Sequence, residues 1–226
     1  MGTKRDVVIP NSVKFYGTVH IGNFTIIGEY TVLGYPSFEN NKDVTDQGNK
    51  DVSTTIGRKC KIGSNVVIYS GARIGDYVEV DDFCRIGNNT TIGIRSHILY
   101  SAKIYNNIEI GNYSIIGGFC PDYAKIGNHV TMFGNLIHNY RQPFLEWGSI
   151  DEASPIIEDY AVVGYNALVI GGIRICKNTY IAAGAIVTRD VPSKSVVTGI
   201  NNIIPHSQWK GKLKEYGFFE VKHDEK

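Results

Sequence analysis

The chain has 226 residues, a formal net charge of +1, 20% charged residues and 42% apolar residues. That apolar content excludes wholesale disorder, and the near-neutral balance argues against a nucleic-acid groove or a basic membrane surface, both of which rely on clustered Lys and Arg. No apolar run approaches the roughly 20 residues needed to span a bilayer, and Met1 to Pro10 lacks the apolar centre of a signal peptide, so a soluble, cytoplasmic protein is expected.

Taken in chain order, the sequence is organised by a period of six. A first block carries Ile9, Phe15, Ile21, Ile27 and Leu33 at that spacing, with Gly22, Gly28 and Gly34 following the last three. A polar insertion interrupts it at 35–53. From Ile56 the pattern resumes without a miss through Ile62, Ile68, Ile74, Val80, Ile86, Ile92, Ile98, Ile104, Ile110 and Ile116. Seven of these eleven aliphatics are followed by Gly, and the position two before them is usually small: Thr54, Cys60, Ala72, Cys84, Thr90, Ser96, Ala102, Ser114. Ile126 and Met132 form a short block displaced by four residues. After a second insertion at 138–154, the period returns with Ile157, Val163, Val169, Ile175, Ile181 and Val187.

A period of six fits neither a helix at 3.6 nor a simple alternating strand at 2.0. It fits short strands separated by regular corners, three of which make one coil of a triangular prism with the aliphatics stacked inside. An ordinary β-sandwich with incidental spacing is the alternative. Corners require positive φ, which the repeat glycines are expected to supply, helped by Asn23, Asn65, Asn88, Asn112, Asn128 and Asn178 beside them. The repeat domain is read as 1–204. Residues 205–226 carry Trp209, Leu213, Tyr216 and Phe219 among lysines and are read as a short helical cap on the last coil. Cys60, Cys84, Cys120 and Cys176 form no CxxC pair, so a zinc site or a disulfide framework is not expected; all four are read as small buried residues.

A run of [Ile/Val]-Gly-x-x-small-x of this length resembles the hexapeptide-repeat acyltransferases, and the resemblance covers roughly residues 7–200. It implies an all-β fold, a left-handed parallel β-helix. The hand comes from the resemblance alone, since general chirality rules favour right-handed crossovers. Ile181-Ala-Ala-Gly-Ala-Ile-Val-Thr-Arg-Asp-Val-Pro192 and Val197-Thr-Gly199 are similar to the galactoside, maltose and xenobiotic acetyltransferase branch and to its relatives that acetylate sugar nucleotides. The chain departs from that branch after Gly199, where Ile-Asn-Asn-Ile stands in place of a Gly-Asn-Pro-Ala type sequence.

The resemblance implies an acetyl-CoA-dependent N- or O-acetyltransferase acting on a sugar, such as the amino group of a nucleotide-linked amino sugar. His138 would be the general base; a histidine suits this because its ordinary pKa lies near neutrality. The Tyr165 backbone N–H would support the oxyanion. Gly164, Ala183, Gly184, Thr188, Arg189 and Gly199 would contact the cofactor, with Arg189 at its phosphates. Asn139, Tyr140, Arg141, Glu146 and Trp147, in the loop after His138, would meet the acceptor. The family also implies a homotrimer with active sites between subunits, and no metal. His97 and His129 sit within repeats, but a β-helical carbonic anhydrase typically has two zinc-binding histidines five residues apart, whereas the nearest pair here, His129 and His138, is nine apart; His129 is a candidate for the thiol end of the cofactor or for a plain corner residue. A non-catalytic β-helix assembly module is the competing reading.

Overall fold

The computed structural model describes residues 7–36, 52–138 and 153–211. Their strands are two to four residues long and fall into parallel ladders that form the three faces of a prism, a left-handed parallel β-helix. The first face stacks eight strands from Val19–Ile21 to Arg174–Ile175. The second runs from Ile26–Ile27 through Tyr180–Ile181 to the C-terminal hairpin. The third runs from Lys14–Phe15 to Phe119–Cys120 and continues as a separate ladder of Asn135–Ile137, Leu168–Ile170 and Ile186–Val187. The right-handed preference of ordinary crossovers arises from a twisted strand feeding a helix. Here two-residue strands carry little twist and the connections are tight corners, so that cause is missing.

In the central coils each residue pairs with the one eighteen positions on, as Arg85 with Lys103 and Ile92 with Ile110. The period-six aliphatics therefore meet in columns. All eleven from Ile56 to Ile116 are buried, as are all six from Ile157 to Val187. The first block obeys the register, with Phe15 opposite Leu33 and Ile27 opposite Ile62. Yet Ile9 and Phe15 are 38% and 47% exposed. They belong to the first coil, which has no coil beneath it within the described residues.

The four-residue displacement has a structural cause. The corner after Ile116 is two residues short, so Lys103 pairs with Phe119 at a separation of sixteen, and Cys120 takes the inward place opposite Ile104. The next coil repeats the contraction between Met132 and Leu136. At Gly118 φ is +73°, and a Cβ there would lie 2.1 Å from the Gly134 carbonyl oxygen. Glycine is required at this shortened corner on both counts.

Elsewhere the corners correct the sequence reading. Most repeat glycines do not carry the positive φ. It falls two residues later, on Lys59, Asn65, Tyr77, Arg95, Tyr113 and their equivalents. The repeat glycine serves close approach instead: a Cβ at Gly57 would sit 2.6 Å from the Asp76 backbone nitrogen, and one at Gly93 2.5 Å from the Gly111 carbonyl carbon. Of the asparagines assigned to corners, only Asn65 and Asn178 have positive φ. Asn112 and Asn128 work through their side chains, whose Oδ1 atoms accept the backbone N–H of Ile94 and Asn112 in the preceding coil. Asp76, Asp82, Asn106 and Asp159 do the same. These bonds satisfy corner N–H groups that no strand ladder reaches.

The small inward position is small for packing and often polar for a reason. The hydroxyls of Thr90, Ser96 and Ser114 donate to the carbonyls of Tyr105, Gly111 and Gly127. Cys60 and Cys84 place a thiol in the same role toward Gly75 and Leu99. Burial pushes the Cys84 thiol up to about 11 and the Cys120 thiol higher still. Cys176 is an exception to the expectation of four buried cysteines, being only half-buried.

The stack ends in an antiparallel return. Ser195–Thr198 pairs with Asn202–Pro205 around a turn at Gly199, covering the last coil with buried Val196 and Val197. After it, His206–Gln208 form a single 3-10 turn. The remainder of the expected helical cap, 212–226, lies outside the described residues.

Candidate active site

The last three strands of the third face carry most of the candidate residues. His138 is half-buried and follows Asn135–Ile137 directly, at the edge where the third face turns toward the first. Thr188 and Arg189 leave the same edge two strands further up, since Asn135–Ile137 pairs with Leu168–Ile170 and that strand pairs with Ile186–Val187. Gly164, Tyr165, Ala183 and Gly184 occupy the opposite edge, between the second and third faces. Within one chain His138 and Tyr165 are thus separated by the strand between them, three residues at about 3.3 Å each.

At that opposite edge two coils stack closely. A Cβ on buried Gly164 would meet the Ala183 nitrogen at 2.6 Å, so this glycine serves coil packing like those of the other repeats. Gly184 differs: its φ is +69° and nothing lies within 4 Å of where a Cβ would stand. Its N–H donates to the Tyr165 carbonyl at 2.9 Å. Tyr165 is 69% exposed. Its own N–H stands where other corners give their hydrogen to an Asp or Asn of the next coil, and the residue there is Ala183. Among the described residues no acceptor takes that hydrogen.

Thr188 and Arg189 are held by a residue the sequence reading left aside. Asn201 accepts the Thr188 N–H at 2.9 Å and donates to its hydroxyl at 2.8 Å, while the Arg189 Nη2 donates to the Asn201 carbonyl at 2.8 Å. The departure after Gly199 thus supplies the partner that orders this corner. The signal was present, since an Asn with positive φ suits a hairpin turn. Gly199 lies in that turn with φ +55° and open space around it.

Asn139, Tyr140, Arg141, Glu146 and Trp147 lie outside the described residues, as do 37–51 of the first insertion. His129 stands on a different edge, between the first and second faces, stacked between the rings of Tyr113 and Tyr160 at 5.0 and 4.8 Å. His97 is bonded to Asp81. Among the described residues no three His, Cys, Asp or Glu side chains gather closely enough to hold a metal ion, and no helix is long and apolar enough to cross a membrane.

The repeat matches two known sequence families, "Bacterial transferase hexapeptide (six repeats)" over residues 53–88 and "Hexapeptide repeat of succinyl-transferase" over 156–189. The chain is 26% identical over 194 residues to the bifunctional protein GlmU of Alkaliphilus metalliredigens, covering 86% of this chain and 37% of that protein. It is 54% identical over 48 residues to a 2,3,4,5-tetrahydropyridine-2,6-dicarboxylate N-acetyltransferase of Staphylococcus aureus, covering 21% and 20%. The chain therefore spans well under half the length of these curated relatives. Its fold matches that of the UDP-N-acetylglucosamine acyltransferase of Francisella novicida with a TM-score of 0.50 at 22% identity, covering 94% of this chain and 72% of that one.

Proposed function

We propose, from a hexapeptide repeat whose matches include an N-acetyltransferase and the fold of an acyltransferase, that the chain transfers acetyl from acetyl-CoA to a sugar, at the amino group of a nucleotide-linked amino sugar. One observation carries this reading: an uncommitted backbone N–H at Tyr165, on an exposed corner beneath Ala183 and Gly184, with His138 at the other margin of the same face.

Bound acetyl-CoA would supply an acetyl thioester, electrophilic at its carbonyl carbon, with the thiolate as leaving group. His138 would take the proton from the acceptor amine as it attacks. The Tyr165 N–H would meet the charge developing on the thioester oxygen, a contribution that for one such donor is about 2.7–4 kcal/mol. Ala183 and Gly184, exposed and without bulk, leave room for an amide-bearing arm to lie along the backbone as an added strand would. A guanidinium has five N–H donors, so the single bond from Arg189 to Asn201 leaves others for a phosphate. The separation of His138 and Tyr165 within one chain favours a site between protomers of a homotrimer.

A thiol-release assay across amino sugars, nucleotide-linked sugars and simple galactosides tests this proposal. A nucleotide-linked amino sugar is expected to turn over, and His138→Ala to lower turnover by about 10²–10⁴-fold. No release with any acceptor, together with no heat from acetyl-CoA in calorimetry, would replace the enzyme by a non-catalytic module.

A further inference from the structure

The second face carries another constellation well away from the corners discussed above. Its coils at Lys61–Ile62 and Glu79–Val80 border a cleft of about 410 Å³ lined by Lys61, Glu79, Asp81, Asp82 and Tyr100 with the backbone around Gly63. His97 sits directly after Glu79 in the strand ladder, and its Nε2 lies 2.7 Å from Asp81 Oδ1. The other Asp81 oxygen accepts the Tyr100 N–H at 3.1 Å. Both carboxylate oxygens are thereby fixed. Because a carboxylate only accepts, His97 donates from Nε2–H.

An aromatic platform adjoins the pair. Tyr100 is 66% exposed and meets the Phe83 ring edge-on, at 5.7 Å between centroids and 70° between planes. Two large rings held this way on a soluble surface expose apolar area that a flat apolar partner would cover. The electrostatics narrow the choice of partner. Lys61, the lysine lining the cleft, is spent on Glu79 at 2.7 Å. Asp81 is engaged by His97, and Asp82 accepts the Ser64 N–H. The cleft is left with an excess of negative charge that repels phosphate.

We propose that this cleft is a second binding site, for an unphosphorylated pyranose sugar, neutral or bearing an amine. The ring's apolar face lies on Tyr100, its hydroxyls donate to the carboxylates that line the cleft, and an ammonium group, where present, is drawn to Glu79 and Asp82; His97, bonded to Asp81, reports occupancy. The site is distinct from the acyl-transfer corner and needs no acyl donor, so it stands or falls independently of that reading.

The test is a titration of the full-length protein with glucosamine, glucose and UDP-glucosamine, read at the His97 ring resonances, which are identified by their loss in His97→Gln. Both simple sugars are expected to give saturable shifts in the millimolar range, with glucosamine the tighter, and UDP-glucosamine none. Asp81→Asn and Tyr100→Ala should each weaken glucosamine by about tenfold or more. Tyr100→Ala changes an exposed ring and leaves the Asp81 bond to the residue-100 backbone in place, so it remains informative if Asp81→Asn disturbs the coil. Absence of a saturable shift with either sugar, wild-type affinity in Tyr100→Ala, or a saturable His97 shift with UDP-glucosamine would each overturn the proposal.

Discussion

A single methyl group at position 183 decides what the Tyr165 N–H is available to do. In the coils below, the equivalent position holds Asp76, Asn112 or Asn128, and its side-chain oxygen captures the N–H of the coil before it. Restoring that acceptor with Ala183→Asn should bind the Tyr165 N–H internally. The expected result is a loss of about 10²–10³-fold in kcat for acyl transfer, with the melting temperature unchanged or raised because a corner hydrogen bond has been added. Thiol-release kinetics beside thermal melting read both quantities. Wild-type kcat in a folded Ala183→Asn protein would remove Tyr165 from the mechanism.

At the scale of the repeat, glycine does two different jobs that melting can separate. Gly93 has ordinary φ, but its coil neighbours leave no space for a Cβ, and the two nearest atoms in the way are backbone. Gly93→Ala must push two coils apart and should cost about 1–3 kcal/mol or more, as overpacking does. Gly184 has positive φ and open space around it, so Gly184→Ala bears only the left-handed backbone cost of about 1–2 kcal/mol. Tyr77, Phe83 and Tyr113 already bear that cost in this fold. Denaturant midpoints that ranked Gly184→Ala as the more damaging would contradict this division. At several corners neighbouring side chains help to offset the backbone cost: Arg95 lies 4.8 Å over the Tyr77 ring, and Tyr113, His129 and Tyr160 stack in sequence.

Over the whole molecule the three faces differ in what they show outward. The first presents Arg73, Glu109, Lys125 and Arg174, with ion pairs Lys125–Glu109 and Arg174–Glu158. The upper parts of the other two present Ile115, Val162, Tyr180, Leu168, Ile170 and Ile186. This asymmetry supports a closed cyclic assembly through the second and third faces, expected to sediment at three times the 25.0 kDa chain. It also yields a test of where the proposed catalytic pair meets. Co-expressed His138→Ala and Ala183→Asn chains should regain about a quarter of wild-type activity if each site draws His138 from one protomer and Tyr165 from the next. They should regain none if both groups come from one chain.

The columns of aliphatics were legible in the sequence because inward burial tolerates only one kind of side chain at each sixth place, and that demand is local and repeated. The catalytic candidates His138 and Tyr165 and the cofactor candidate Ala183 were reached by resemblance, and no period marks them. Other features depended on contacts between coils thirteen to eighteen residues apart, which no window along the chain displays. These include the real work of the repeat glycines, the inward turn of Cys120, the Asn201 brace on Thr188 and the pairing of His97 with Asp81. Stacking decided them, because a side chain in this fold answers mainly to the residue one coil away and only secondarily to its neighbours in sequence.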